Sequence, residues 1–409
     1  MDIPFISFFG KYISNISVVS RICGFGGKTV EPFSEKIKLI YIVLLRFVRK
    51  IFFILPVKQN RVIFESFSGD GYQCNPKYIS ERLKEKYGGS VEVVWALKDE
   101  NKAPRNVIVC KYRSIRHFIY RITSKVYVCN FFQVVEIPKR KGQAEIQTWH
   151  GGGCYKKVGT EEKELGSAYI MRRDMHVAET DYFIVSSKYW EEQVAIKQFG
   201  YKGKVLEIGM PRNDCLVEKT DKSRIMEIRK KAGIDESAYA VLYAPTWREG
   251  LDQFEAIDYE SLEMAYKKRF GRKCQILFRA HLYGKEKLNN VIDLTTYEDM
   301  QELLYACDSV ITDYSSLMWD FCLTEKPCFL YTPDLKRYTE QRGFDMDIYT
   351  WGFPVCESND ELVNAILGFD EVDFRNKMKK HREVLGSFET GKATEGIVKL
   401  IAKICKLSL

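Results

Sequence analysis

His150 stands in the run Gln147-Thr148-Trp149-His150-Gly151-Gly152-Gly153, where an apolar stretch gives way to three glycines. A strand ending here aims a side chain past the edge of its sheet, and glycines let backbone N–H groups come close to an anion. Histidine is also the side chain whose ordinary pKa suits a general base near neutral pH. The segment therefore reads as a catalytic His150 with Gly151 and Gly152 against a phosphate; a structural loop histidine is the plain alternative. His281 closes Ile276-Leu277-Phe278-Arg279-Ala280-His281 in the same way, and strand alternation puts Arg279 and His281 on one side. Both could donate to phosphate oxygens, although an arginine–carboxylate pair beside a surface histidine would look alike. His117, His176 and His381 fall in polar, helix-like or loop surroundings and read as non-catalytic.

Two further segments carry hydroxyls and charge at strand ends. Ser309-Val310-Ile311-Thr312-Asp313-Tyr314-Ser315-Ser316 runs from a strand into a helix, and Ser315 or Ser316 would cap it. The free N–H groups behind such a cap suit a diphosphate; simple capping is the alternative. Thr246-Trp247-Arg248 follows Tyr243-Ala244-Pro245 and offers a hydroxyl, a ring and a cation to a nucleotide base or its phosphates, unless the ring is packed core. Ser68-Gly69-Asp70-Gly71 reads as a turn, and neither G-x-G-x-x-G nor a Walker motif follows the first strand. No carboxylate cluster of metal-binding type stands out, so no cofactor or metal is required by the pattern, and assistance by Mg2+ is left open.

These residues need strand ends to hold them, and after Pro56 short apolar runs alternate with helical segments. Strands are expected near 61–65, 91–97, 106–110, 125–130, 145–149, 181–186 and 204–208, then near 240–243, 275–279, 291–293, 309–312 and 328–331. Helices are expected near 76–86, 114–122, 189–199, 223–231, 259–269, 300–306, 316–323 and 360–367. Such alternation predicts α/β structure with parallel sheets. Two Rossmann-like domains facing across a cleft, a GT-B-like architecture, would put ligands at the carboxyl ends of the strands. With a hinge near Pro211–Asp221, the expected division is 1–56, 57–215 and 216–409, the last helix packing back on the first Rossmann-like domain.

The chain has 409 residues, 45% of them hydrophobic and 29% charged, and carries a net charge of +8. This is enough for two buried cores and argues against disorder. Of the excess charge, +6 lies in the first 60 residues, where nine Lys/Arg meet Asp2, Glu31 and Glu35. A basic apolar end suits an anionic membrane surface better than a nucleic acid, which would call for charge spread over the folded body. Residues 37–55 read IKLIYIVLLRFVRKIFFIL, about 28 Å if helical and long enough to span a bilayer. Yet Lys36, Lys38, Arg46, Arg49 and Lys50 fall within an arc of about 160°. The expectation is an amphipathic helix lying on the membrane with its cations at the headgroups. Packing on the protein's own body and a true span are the alternatives, and Phe5, Ile6, Phe8 and Phe9 could make a second apolar contact. The twelve cysteines contain no C-x-x-C pair and read as free thiols of a reducing compartment.

Taken in order, these segments resemble the CDP-glycerol glycerophosphotransferase family, the polymerases and primases of teichoic acid synthesis. The likeness runs from about Val57 to Leu407. Arg61-Val-Ile-Phe-Glu-Ser-Phe-Ser-Gly with Asn75-Pro76, Gln147-Thr-Trp-His-Gly, Gly209-Met-Pro-Arg-Asn-Asp214 and Tyr243-Ala-Pro-Thr-Trp-Arg248 each match a family block. So do Arg279-Ala-His281, Ile311-Thr-Asp-Tyr-Ser-Ser316, Asp320, Lys326-Pro327, Tyr331, Asp334 and Arg342-Gly-Phe344. The resemblance implies a GT-B fold, a membrane-bound polymer acceptor on the first domain and a CDP donor on the second. It implies catalysis by His150 and His281, with Thr312, Asp313, Ser315 and Ser316 at the donor diphosphate and Arg212, Asp320 and Arg342 added to the donor-binding set. The family commonly continues its first motif as His-Gly-Thr-Pro, where this chain has His150-Gly-Gly-Gly-Cys154, and Leu282 replaces the usual proline after Arg-x-His.

The expected reaction is attack of an acceptor hydroxyl on the β-phosphorus of CDP-glycerol, releasing CMP, at the cytoplasmic face of the membrane during teichoic acid or capsule synthesis. The acceptor would be a lipid-linked glycan or the growing polymer. CDP-ribitol as donor, or a nucleotide sugar used by a GT-B glycosyltransferase, are the alternatives; no nucleic acid is expected as partner.

Overall fold

The computed structural model describes residues 32–132, 134–153, 156–161, 166–218, 221–246, 256–279 and 291–408. The first 31 residues, Trp247, Arg248, His281 and Leu282 lie outside the described residues, and with them the expectations that rest on them.

Two all-parallel sheets organise the chain. The first contains β1 (Lys58–Glu65), β2 (Glu92–Leu97), β3 (Ile108–Lys111), β4 (Ser124–Cys129), β5 (Ala144–Gln147), β6 (Tyr182–Val185) and β7 (Lys204–Glu207), in the order β3-β2-β1-β4-β5-β6-β7. The second contains β8 (Tyr239–Tyr243), β9 (Cys274–Phe278), β10 (Ile292–Asp293), β11 (Ser309–Thr312), β12 (Cys328–Tyr331) and β13 (Val355–Cys356), in the order β10-β9-β8-β11-β12-β13. Both are Rossmann-like windings, and together they form a GT-B-like α/β fold.

The strand sequences explain why both faces are covered. In β1, Val62 and Phe64 enter one apolar cluster and Ile63 another; in β2, Val93, Trp95 and Leu97 part from Val94 and Ala96 in the same way. A strand that buries alternate residues on opposite faces needs helices on both, and this is how near-continuous apolar runs read in parallel sheets. The final helix, Ala393–Cys405, begins beyond the second sheet but buries Ile397, Val398, Ile401 and Cys405 among Val62, Phe64, Val126 and Ile146 of the first. Each such side chain removed from water is worth about 1.5–3 kcal/mol, so the chain end ties the two halves together.

Parallel winding fixes where a ligand can sit. Strand order reverses between β1 and β4 in the first sheet and between β8 and β11 in the second, and the crevice beyond the carboxyl ends at such a reversal is where open α/β sheets hold ligands. The residues just past those ends are Ser66–Phe67 and Asn130 in one half, and Ala244–Thr246 and Asp313–Ser316 in the other.

The N-terminal helix, Pro32–Arg49, continues as a tight turn through Lys50–Ile54. It packs on the body of the protein, and this corrects the expected placement of its cations. Ile42 is fully buried, Arg46 pairs with Glu179 and the Val135 carbonyl, and Arg49 lies over the Phe118 ring at 5.3 Å. The cations at 46 and 49 face inward, and Ile40, Val43, Leu44, Phe47 and Ile51 face solvent. Among the described residues no helix is long and apolar enough to cross a membrane.

Candidate active site

His150 lies just beyond β5, beside the strand reversal of the first sheet. Its Nδ1 is 3.0 Å from the Asn130 carbonyl oxygen, and no described residue hydrogen-bonds Nε2. A carbonyl only accepts, so the proton sits on Nδ1 and the lone pair on Nε2. Burial pushes the imidazole pKa down to about 4, against the pull of that carbonyl and with a further push from the Arg212 charge. The ring is therefore neutral at physiological pH. It is walled by Trp149, Phe67 and Phe131, with ring centroids 4.5, 5.2 and 5.6 Å away.

The wall is held from several directions. Asn130 accepts the Phe67 N–H at 2.8 Å through Oδ1 and donates to Ser66 Oγ at 3.1 Å, fixing the β1 loop against the β4 end. That loop places Phe67 and Ser68 at φ of 44° and 55°, a conformation non-glycine residues adopt at a cost on the order of 1–3 kcal/mol each. Asn75, fully buried, donates to the Trp149 carbonyl at 3.0 Å and accepts the Arg212 N–H at 3.0 Å. Sequence reasoning gives neither asparagine a role. Asn75 stands inside a matched block, but nothing local distinguishes a clamp from a helix start.

The glycines act by lack of volume. A Cβ on Gly151 would lie 3.2 Å from Ser316 Oγ, and one on Gly153 only 2.0 Å from Cγ of Trp319. The His150 loop thus passes directly against the start of the Leu317–Phe321 helix of the second half. Ser315 and Ser316 are half-buried there; the Ser316 side chain makes no capping bond, and the Leu317 N–H reaches Ser315 Oγ only at 3.4 Å. The expected serine cap is therefore weak, which leaves both hydroxyls at the cleft.

Thr312 and Asp313 are placed differently from the sequence expectation. Thr312 is fully buried, its hydroxyl donating to the Ala244 carbonyl at 2.7 Å. Asp313 accepts the Thr246 N–H at 2.9 Å and the Thr246 hydroxyl at 2.6 Å. These contacts bind the β11 end to the β8 loop and shape the second crevice rather than offer groups to a ligand.

Arg212 and Asp320 also depart from the expected donor-binding role. They form an ion pair of 2.6 Å, both more than nine-tenths buried, and Asp320 accepts from Asn213 and Gln301 at 3.0 Å each. Arg212 lies between the last strand of the first sheet and the first strand of the second, and Asp320 follows β11, so the pair ties the segment linking the two sheets to the second one. Arg342 is exposed at the end of the Leu335–Gln341 helix. The next residues fold toward the first half, where Phe344 bridges to Lys156.

Among the described residues past the strand ends of the second sheet, Arg279 offers a cation. It follows β9 half-buried, its N–H donates to the Tyr243 carbonyl at 3.0 Å, and its Nη1 is buried with no hydrogen-bond partner. Burial lowers its pKa, opposed by Asp299 and Tyr297. A buried guanidinium with an unsatisfied donor is costly unless an anion completes it. His117, His176 and His381 lie on helices and are all buried; His117 faces Glu65 at 3.4 Å and His381 stacks on Trp319 at 4.6 Å.

The site therefore brings together a neutral histidine with an open Nε2, glycines without side chains and two serine hydroxyls, while the unsatisfied Arg279 stands past the end of β9 in the second sheet. This is the equipment for deprotonating a hydroxyl beside a bound phosphate. A family model described as CDP-glycerol:poly(glycerophosphate) glycerophosphotransferase matches residues 47–403. The chain is 31% identical to a teichoic acid glycerol-phosphate transferase of Staphylococcus aureus, over 85% of this chain and 94% of that protein. It is 28% identical to a teichoic acid poly(glycerol phosphate) polymerase of Bacillus spizizenii, over 83% and 90% of the two chains. It spans about half the length of two longer polymerases of that name, 49% and 51%. Relatives named for ribitol phosphate stand at 25–26% identity. A solved structure of the wall teichoic acid polymerase TagF with CDPG superposes with a TM-score of 0.77 at 28% identity, over 93% of this chain and 99% of that one.

Proposed function

The chain belongs to the CDP-glycerol:poly(glycerophosphate) glycerophosphotransferase family, and from that premise we propose that it transfers glycerol phosphate from CDP-glycerol to a membrane-linked teichoic acid chain or its lipid-linked primer. CMP is the leaving product. The observation that carries the reading is the tautomer of His150, whose Nδ1 proton is committed to the Asn130 carbonyl while Nε2 stays open.

In this reading an acceptor hydroxyl gives its proton to His150 Nε2 as its oxygen bonds to the glycerol-bearing phosphorus. The bond from that phosphorus to the bridging oxygen breaks, and CMP departs with the electron pair. Arg279 and the hydroxyls of Ser315 and Ser316 supply donors to the diphosphate, on the opposite wall from the base. The division explains why one domain carries the histidine loop and the other the serines.

The protein acts at the cytoplasmic face of the membrane as a peripheral enzyme. Support comes from the outward apolar face of the Pro32–Arg49 helix and the turn after it, where Phe47 is 73% and Ile54 85% exposed. Such a face suits the acyl boundary of a bilayer.

The deciding experiment follows CMP release by purified protein with isolated membranes, given CDP-glycerol or CDP-ribitol. Acceptor-dependent CMP from CDP-glycerol, lost in His150→Ala, is the expected result. Release from CDP-ribitol alone would move the donor assignment. Turnover with a UDP- or GDP-sugar, and none with either CDP-alcohol, would overturn the reaction.

A further inference from the structure

Behind the His150 turn lies a buried polar chain that the reaction scheme does not use. Gln147 ends β5, is fully buried, and its Oε1 accepts the Trp149 N–H at 2.8 Å. With Oε1 committed as acceptor, the amide nitrogen must donate; it lies 3.2 Å from the Phe131 carbonyl and 2.6 Å from His176 Nε2. His176 Nε2 therefore accepts, and its proton sits on Nδ1, facing Glu145 Oε1 at 3.5 Å. Glu145 is paired in turn with Arg121 at 3.2 Å, and Arg121 covers the Tyr127 ring at 3.3 Å.

Cys129, Glu145 and His176 lie close enough together to resemble a metal site, with one ligand atom of each within 4.8 Å of the others. The Arg121 charge beside Glu145 and the Gln147 amide on His176 Nε2 oppose that use. The cluster is a hydrogen-bond network instead.

Gln147 is thus bonded to two main-chain groups that flank His150, the Trp149 N–H and the carbonyl of Phe131, whose ring lies against the imidazole. Trp149 is held at φ 52°, where a tryptophan does not rest unaided. Resting on the assignment of His150 as the base, we propose that Gln147, braced by His176, is a positioning residue: it fixes the strained Trp149 turn that keeps His150 Nδ1 on the Asn130 carbonyl and Nε2 open to the acceptor. It touches no reacting atom and acts through Trp149.

Loss of the Gln147 acceptor lets Trp149 relax toward extended backbone and swings the imidazole off Asn130. Donor binding should survive, because Arg279, Ser315 and Ser316 stand on the other half. Among the described residues, the charge that acts on His150 is Arg212, and three rings and the Asn130 carbonyl also lie against it. A displaced ring would leave this apolar pocket, and the acid limb of kcat/KM would move up toward the ordinary histidine range.

The test uses the full chain with membrane acceptor, comparing Gln147→Leu, Gln147→Glu and His150→Ala. For Gln147→Leu, kcat should fall about a hundred-fold, as misplacing a catalytic group does, with KM for CDP-glycerol nearly unchanged. Its acid limb should rise by about one pH unit or more. Gln147→Glu keeps an acceptor for the Trp149 N–H and should recover part of kcat. If Gln147→Leu fails to bind CDP-glycerol and so is misfolded, Gln147→Glu decides: a reduced kcat with KM for CDP-glycerol unchanged upholds the inference, and a parental kcat, or kcat and donor affinity falling together, sinks it. An inactive His150→Ala beside a Gln147→Leu of parental kcat and pH profile would sink this inference alone. So would a Gln147→Leu whose kcat and donor affinity fall together with the limb unmoved. An active His150→Ala would instead remove the base assignment beneath it.

Discussion

Arg212 Nη2 and Asp320 Oδ2 meet at 2.6 Å in a buried seam between the segment that links the two sheets and the Leu317–Phe321 helix that follows β11. Asp320 also takes amide hydrogens from Asn213 and Gln301, while Arg212 Nε stays buried without a partner. Removing either charge strands the other away from water, which costs about 3–5 kcal/mol. Arg212→Ala and Asp320→Ala should each lower the urea midpoint accordingly. Asp320→Ala should be the worse, since it also strands two amides. A midpoint shift under about 1 kcal/mol for both would mean that the seam opens to water and the pair is no lock.

Glu389 gives the same seam a pH dependence. Its Oε1 accepts from Asn213 at 3.1 Å and from the Met210 N–H at 3.2 Å, and burial, with Asp320 and Asp214 nearby, raises its pKa to about 8. A carboxyl whose folded pKa lies above its unfolded value stabilises the fold below the unfolded value, and that stability is lost as pH rises through about 8. Glu389→Gln keeps the accepting oxygen and cannot ionise. Its melting temperature relative to the parent should therefore climb between pH 5 and pH 9, with an upper bound of about 1.4 kcal/mol per pH unit. A difference that is flat with pH would show that Glu389 is ionised in the fold throughout.

How much of this was legible in the chain depends on the range of the interaction involved. All twelve strands expected from apolar runs are present, because a strand buried on both faces writes itself into consecutive residues such as Val62-Ile63-Phe64. β13, two residues long, gives no period to detect, and the Ser167–Glu179 helix hides its inward face behind a buried Arg173 and His176. Trp190–Gln198 was legible as a helix but winds more widely than an α-helix. In the site, His150 could be found because its turn and glycines are contiguous. The pairing of Arg212 with Asp320 was not legible, because a charge in a matched block looks the same whether it waits for a phosphate or already has a partner far along the chain. The common arc of cations on the first helix was readable, but which side of the helix meets the protein is decided by Glu179 and Phe118, which no helical wheel contains.

Gly153 and Trp319 test whether the first loop is set by the second half. Since a Cβ at 153 would fall 2.0 Å from the indole Cγ, Gly153→Ala must push the loop or the ring aside. Overpacking of this kind costs about 1–3 kcal/mol, and here it falls three residues from His150. Gly153→Ala should reduce turnover more than stability, and adding Trp319→Leu should restore part of it by vacating the space. If the double variant is no better than the single, the loop owes its shape to its own backbone rather than to the indole.

The proposed membrane attachment can be tested apart from folding, because the residues it would use touch so little of the protein. Phe47 is 73% and Ile51 67% exposed, whereas Ile42 on the same helix is fully buried. Phe47→Glu with Ile51→Glu should leave the melting temperature unchanged, since exposed positions rarely matter by more than about 0.5 kcal/mol. On vesicles of mixed neutral and anionic lipid, the same pair should weaken binding by about 3–6 kcal/mol, the transfer energy of two apolar side chains. Ile42→Glu would do the reverse, unseating the helix from Glu179 and Phe118 and lowering stability first. Vesicle binding unaffected by the double charge would mean that the apolar face meets something other than lipid, and sedimentation of the free protein would then show whether that is a second copy of the chain.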